Sequence, residues 1–305
     1  MNPTIKLRGL RRSSPFQSTA AALALATVLS LPALAQAQAA YGKPELAVDA
    51  LINGLATADD AALSVALGKG WRQLLGLEDV NVENRYTFLA KASQSRAITV
   101  QDGRAHLTVG SDPWVLPVPI VQGKDGKWRF DPVAGHDEIL ERQIGANELA
   151  AMQAVLATVD AQREYAQADR MGDGVPQYAQ KILSSAGKRD GLIWSVKLGD
   201  ESPLGEGFLP TKPGAGYHGY RFRILTGQGA KAPGGARSYL IGGRMVAGFA
   251  LLAWPVEYGK TGVMSFMVNS SGKVYERDLG PQTAKAVEAI KLYNPDEGWK
   301  LSTMP

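Results

Sequence analysis

The 305-residue chain contains no cysteine. Disulfides, thiolate nucleophiles, thiolate-bound zinc or iron–sulfur centres and a lipidated N-terminal cysteine are thereby excluded. Histidine is nearly as scarce, with only His106, His136 and His218. No nucleophile elbow precedes a helix, no phosphate-binding G-x-x-x-x-G-K-[ST] loop exists, and no G-x-G-x-x-G lies between a strand and a helix. Long apolar runs are missing as well. The longest after the first forty residues, Val246 to Val256, is too short to span a bilayer and contains Pro255. What is present is an ordinary folded composition, 45% hydrophobic and 20% charged.

The formal charge of +4 is not spread along the chain. Lys6, Arg8, Arg11 and Arg12 precede the apolar stretch Ala20 to Leu31, which runs into LPALAQAQAA with several A-x-A sites. A basic start, a short apolar middle and small residues for cleavage are the three parts of a secretory signal peptide. A spanning anchor needs about 18 to 20 apolar residues, more than this run supplies. Residues 1–39 are read as the signal, and the address as periplasmic or secreted. Once they are removed, 29 basic residues face 29 acidic ones. The balance offers no clustered positive face for nucleic acid or an anionic membrane, and no stable membrane insertion of the mature chain is expected.

Two domains are expected in the remainder, 40–134 and 135–305. Pro44 opens a helix with Leu46, Leu51, Ile52 and Leu55 on one stripe. Thr57, Asp59 or Asp60 caps a second helix that ends at Gly68, and further helical turns cover Trp71 to Leu75 and Val80 to Ala92. The hydrophobic period then changes to two. Asp102-Gly103 and Asp125-Gly126 sit between β-type runs, which marks two hairpins. Helices followed by a curved antiparallel sheet resemble the NTF2-like or cystatin-like plan. Beyond it, a connector helix is expected over His136 to Gln143, a long helix capped by Asn147, a short helix over Tyr178 to Leu183 and a loop from Ser202 to Gly216. Strands follow at Tyr220–Leu225, Ser238–Ile241, Phe249–Trp254, Val263–Val268 and Val274–Asp278, with a closing helix over Gln282 to Leu292. The fold class is α+β throughout.

Three stretches carry a family resemblance: residues 144–194 (IGANELAAMQ to KRDGLIW), 217–229 (YHGYRFRILTGQG) and 232–280 (APGGARSYLIGGRMVAGFALLAWPVEYGK to ERDLG). They resemble the bacterial domain of unknown function 2950 family, and Leu46 to Asp131 is similar to its N-terminal portion. The resemblance implies an exported protein and brings no established activity, substrate or cofactor. The order of long helix, DGDG-like turn, GYRF strand and Gly-rich hairpins also looks like the globular part of type IV pilins and pseudopilins. The apolar N-terminal helix that assembles pilin filaments is lacking.

Candidate chemistry is thin. In DRMGDG, Asp169 and Asp173 with Gly174 fit part of a Ca²⁺ loop, but Met171 takes the middle ligand position and Gln180 stands where a bidentate Glu would be. The other reading is a glycine-closed turn at a helix end. His136-Asp137-Glu138 with Glu141 could present ligands on one helical turn, yet acids at a helix start also answer its dipole. His106 alternates within a strand. His218 precedes a strand, and with Trp254 and Tyr258 it forms a candidate rim for a ligand or partner. The function expected from all this is a non-enzymatic binding or assembly module of the bacterial envelope, meeting an envelope protein or a small ligand. The alternative is a small-ligand receptor or hydrolase using an N-terminal or interdomain pocket.

Overall fold

The computed structural model describes residues 37–75, 82–210 and 212–303. The expected signal peptide lies almost wholly outside them. From Ala37 onward the chain forms one compact unit of α+β architecture.

Four helices come first: α1 (Pro44–Thr57), α2 (Asp60–Leu67), α3 (Trp71–Leu74) and α4 (Val82–Gln94). Pro44 sits in the first turn of α1, where its missing N–H costs nothing. Asp59 caps α2, its side chain accepting from the Ala62 N–H at 2.9 Å. The sheet that follows contains β1 (Arg96–Gln101), β2 (Arg104–Val109), β3 (Trp114–Val115), β4 (Ile120–Gln122) and β5 (Trp128–Phe130). It is antiparallel in the order β1-β2-β4-β5, with β3 also on β2. Asp102 and Gly103 both take positive φ, 49° and 72°, the twist that a two-residue hairpin requires. The core between helices and sheet is filled by side chains, among them Leu51, Trp71, Leu107, Ile120, Trp128 and Phe130, all buried.

Helix α5 (Pro132–Tyr165) is a single element of 34 residues, about 50 Å at the usual rise. The expected break near Gly145, with a fresh cap at Asn147, does not occur. Capping happens at Asp131, whose carboxylate accepts from the Ala134 N–H at 3.1 Å, with Pro132 next. Asn147 instead donates to the Thr261 carbonyl at 3.0 Å. A long-range tertiary bond has taken the side chain that read as a local cap. The early turns of α5 pack on the N-terminal core through Gly135 and Ile139, where a Cβ on Gly135 would come within 2.8 Å of Val118. Its later turns press Ala151, Met152, Val155 and Val159 onto the second sheet.

That sheet contains β6 (Tyr220–Leu225), then, beyond two short ribbons, β11 (Ala250–Pro255), β12 (Met264–Asn269), β13 (Val274–Asp278) and β14 (Lys300–Leu301). The ribbons pair β7 (Gly227–Gln228) with β8 (Arg237–Ser238), and β9 (Leu240–Ile241) with β10 (Arg244–Met245). The sheet order is β14-β13-β12-β11-β6, so β6 is an edge strand. Helix α6 (Thr283–Ala289) is shorter than expected.

Residues 178–183 are irregular, not helical, with bends at Gln180 and Ile182. The apolar spacing of Tyr178 and Ile182 looks helical, but the segment's backbone is satisfied by tertiary partners. Tyr178 donates to the Met245 carbonyl at 2.8 Å, and Ile193 donates to the Ile182 carbonyl at 2.8 Å. Buried Gln162 on α5 completes the set: its amide donates to the Ala179 carbonyl and accepts from the Ala179 N–H, both at 2.8 Å. The side chain mimics one rung of a β-ladder.

Candidate functional site: an aromatic groove at a sheet edge

Strand register fixes which side chains share a face of the second sheet. Trp254 lies opposite Arg221, Ala253 opposite Phe222 and Pro255 opposite Tyr220. Because side chains alternate along a strand, Arg221, Arg223 and Trp254 occupy one face and Tyr220, Phe222 and Ile224 the other. A groove of about 330 Å³ is lined by residues of both faces, Arg221 and Trp254 together with Tyr220 and Phe222. It therefore wraps the rim of the sheet where β6 begins. Ile182 and Leu183 form a further wall, and Phe208, Leu209 and Tyr217 close it.

The aromatic wall is ordered by ring contacts. Phe208 and Tyr217 stack with centroids 4.9 Å apart and planes 11° apart, and Phe208 meets Phe222 at 4.9 Å. On the other face the Arg223 guanidinium lies 5.4 Å over Trp254 and donates to the Ile290 carbonyl at 2.6 Å, fixing the indole's surroundings. Arg221 is exposed at the rim and makes no ion pair among the described residues.

His218 stands beside the groove. It occupies the first central position of a tight turn, with φ 46° followed by Gly219 at 72°, while Tyr217 and Tyr220 exchange two backbone hydrogen bonds at 2.9 Å each. Its ring meets Tyr217 edge-on at 4.5 Å. The turn explains the residue locally, since histidine is among the few non-glycine types enriched at positive φ. Trp254 is in the groove wall. Tyr258 is in neither place: its hydroxyl donates to the Asp278 carboxylate at 3.1 Å in the loop between β11 and β12. The structure thus joins two of the three expected rim residues, Trp254 directly and His218 through Tyr217.

Sequence reasoning missed Phe208, Tyr217, Phe222 and Leu183. The one signal available was the YRFRIL alternation of β6, which puts an arginine on alternate positions of an edge.

The other candidates are dispersed. His106 is in β2, and His136 lies in the second turn of α5, its Nδ1 3.3 Å from Asp137. No group of three or more His, Asp or Glu side chains able to hold a metal gathers among the described residues. In the DRMGDG loop the Asp169 carboxylate accepts from the N–H groups of Gly172, Asp173 and Gly174 at 2.8, 3.2 and 2.7 Å. Asp173 faces Arg244 Nε at 2.8 Å, and this guanidinium holds its carboxyl below the usual range. A Ca²⁺ ion would have to displace both donor sets.

One cluster resembles a serine–lysine pair. Lys181 Nζ donates to Ser185 Oγ at 2.8 Å, and Ser185 Oγ donates to Asp190 at 2.9 Å. Lys181 also bonds Asp190 at 2.6 Å. Burial opposes ionisation of Asp190, but Lys181 and the Ser185 N–H and O–H outweigh it and bring the carboxyl down to about 2. Lys181 is ion-paired with Asp190 and the Ser185 hydroxyl is bonded to both, so the trio closes the loop between residues 181 and 190.

A family model described as "Protein of unknown function (DUF2950)" matches residues 38–301. The chain belongs to that family. No curated protein and no solved structure matches this DUF2950 protein. Neither comparison supports the expected likeness to pilins. No helix among the described residues of the DUF2950 chain is long and apolar enough to cross a membrane.

Proposed function

We propose that this DUF2950 protein is an exported, non-enzymatic binding module of the bacterial envelope that takes an extended peptide segment of an envelope partner by strand addition at β6. The observation that carries the reading is the groove's position across the rim of the sheet. An edge strand presents backbone N–H and C=O groups to a neighbour, and flanking pockets on both faces then read alternate side chains of the added strand. Phe208, Tyr217, Phe222 and Leu183 supply the apolar pocket on one side, Trp254 that on the other, and Arg221 favours a carboxylate at the partner's end. Binding is preferred to chemistry because the three histidines lie apart, in β2, in α5 and in the turn before β6, and Lys181 beside Ser185 is ion-paired with Asp190.

The test is a titration with a seven-residue peptide that alternates leucine and threonine after a leading glutamate, followed by tryptophan fluorescence and by amide exchange at Phe222 and Ile224, whose N–H groups lie on the side of β6 away from β11. Saturable binding with slowed exchange is expected. A version N-methylated at alternate amides should bind at least about tenfold more weakly, since it loses main-chain hydrogen bonds. Equal binding of the two peptides would refute strand addition.

A second reading, a small-ligand receptor, is favoured by a cavity of about 420 Å³ between β13, α6 and the C-terminal loop. Arg277 pairs there with Asp296 at 3.3 Å beside Trp299. The N-terminal core, expected as a possible pocket, is instead filled by its own aromatic and aliphatic side chains.

A further inference from the structure

The first residues described after the leader are built into the fold. Helix α2 ends at Leu67, and its last carbonyls have no partner within the helix. The Gly68 N–H takes Ser64 at 3.0 Å, the Ala39 N–H takes Val65 at 2.7 Å, and the Gln38 side-chain amide takes Ala66 at 3.2 Å. The same amide nitrogen donates to the Phe130 carbonyl at the end of β5, at 2.7 Å. Two residues further on, Tyr41 and Trp128 exchange backbone hydrogen bonds at 2.8 Å, extending the sheet past β5. Gln38 and Ala39 therefore cap a buried helix end and tie it to the N-terminal sheet. The family match also begins at residue 38.

Three A-x-A sites near the end of the leader could guide cleavage: Ala33-Leu34-Ala35, Ala35-Gln36-Ala37 and Ala37-Gln38-Ala39. Using the third would remove Gln38 and Ala39, leaving the carbonyls of Val65, Ala66 and Phe130 without these partners. From this we infer that the leader is cut at the Ala35–Gln36 or the Ala37–Gln38 bond and never at Ala39–Ala40, so that the mature chain keeps Gln38. This moves the signal boundary from residue 39 to residue 37 or earlier, and it rests on the export reading above. The reaction is hydrolysis by the host's export-linked leader peptidase. One water adds across the peptide bond, leaving a carboxylate on the leader's alanine and an α-amine on the mature chain.

The full chain, produced with its leader in an exporting bacterial host, is to be recovered from the periplasm or medium and its first residue read by intact mass and terminal sequencing. A start at Gln36 or Gln38 is expected. A start at Ala40 or beyond overturns the inference while leaving export intact. An uncut chain overturns both, and its mass distinguishes that case. A second measurement compares leaderless chains that begin at Gln36 and at Ala40. The shorter should melt roughly 5 °C lower, because several hydrogen bonds to buried carbonyls are lost in a domain of this size. Equal melting would overturn the structural reason for retaining Gln38.

Discussion

Replacing Gln162 by methionine removes one side-chain rung and nothing else of comparable size. Gln162 is fully buried and Ala179 only 1% exposed, so water cannot take over the Ala179 N–H and C=O once the amide is gone. Each buried polar group left without a partner costs about 1–3 kcal/mol. Two such groups, partly offset by the apolar methionine, give a net loss of about 2–4 kcal/mol. With a urea slope near 3 kcal/mol/M, the unfolding midpoint should fall by about 1 M without a change of slope. The same substitution loosens the irregular segment that carries Ile182 and Leu183, so amide exchange at 178–184 should quicken before global unfolding. A midpoint shift below about 0.2 M would refute the reasoning, because it would mean that the rung is made equally well by water or by rearrangement.

Three other outcomes are expected. Asp190→Asn should lower stability by no more than about 2 kcal/mol at neutral pH. Since the folded carboxyl titrates at about 2, below its unfolded value of 3.8, its contribution is complete above the unfolded value and is lost as pH falls through the folded one. Denaturation curves of the two proteins should therefore converge between these pH values, and a constant gap down to pH 2 would contradict the pairing. Gly262→Ala should destabilise by about 1–3 kcal/mol, because its Cβ would lie 2.0 Å from the Tyr220 hydroxyl that donates to Met264. Tyr220→Phe in the same chain should leave most of the loss in place, because Cζ and Cε2 of the ring would still lie 2.6 and 2.7 Å from the new Cβ, and full recovery by Tyr220→Phe would argue against a clash with the ring. Millimolar Ca²⁺ should shift the melting temperature by less than about 1 °C, given that Asp169 and Asp173 already hold backbone N–H groups and Arg244. A rise of several degrees would restore the loop as a metal site.

The sequence was most readable where structure is made by near neighbours. Asp102-Gly103 announced its hairpin because positive φ at two successive positions is demanded by strand twist and tolerated by few residues. The β6 and β13 strands fall at the expected positions, β6 through the alternation of YRFRIL and β13 through the β-prone Val274 and Tyr275 just after the turn at Gly272. Legibility failed where a distant partner decided the outcome. Asn147 has the chemistry of a helix cap, yet its amide is spent on Thr261, more than a hundred residues away. Tyr178 to Leu183 has helical spacing, but its hydrogen bonds go to Met245, Ile193 and Gln162. The groove was hidden for a related reason. Trp254 and His218 stood out as single residues, whereas Phe208 lay in a stretch that reads only as a Gly- and Pro-rich loop. No pattern along the chain says that β6 ends the sheet, and without the strand order the rim has no address.

Helix α5 gives a protein without covalent cross-links a mechanical tie. The helix begins against the core of the first sheet, presses its middle turns on the core of the second, and ends among Leu192, Ile193 and Trp194, so none of these clusters can melt without stripping a surface from its neighbour. Force applied to a strand held at β6 passes through β11 and β12 into α5, and from there to the N-terminal helices. Under load, or under attack by proteases, the chain should yield as one body, with no early release of half of its length.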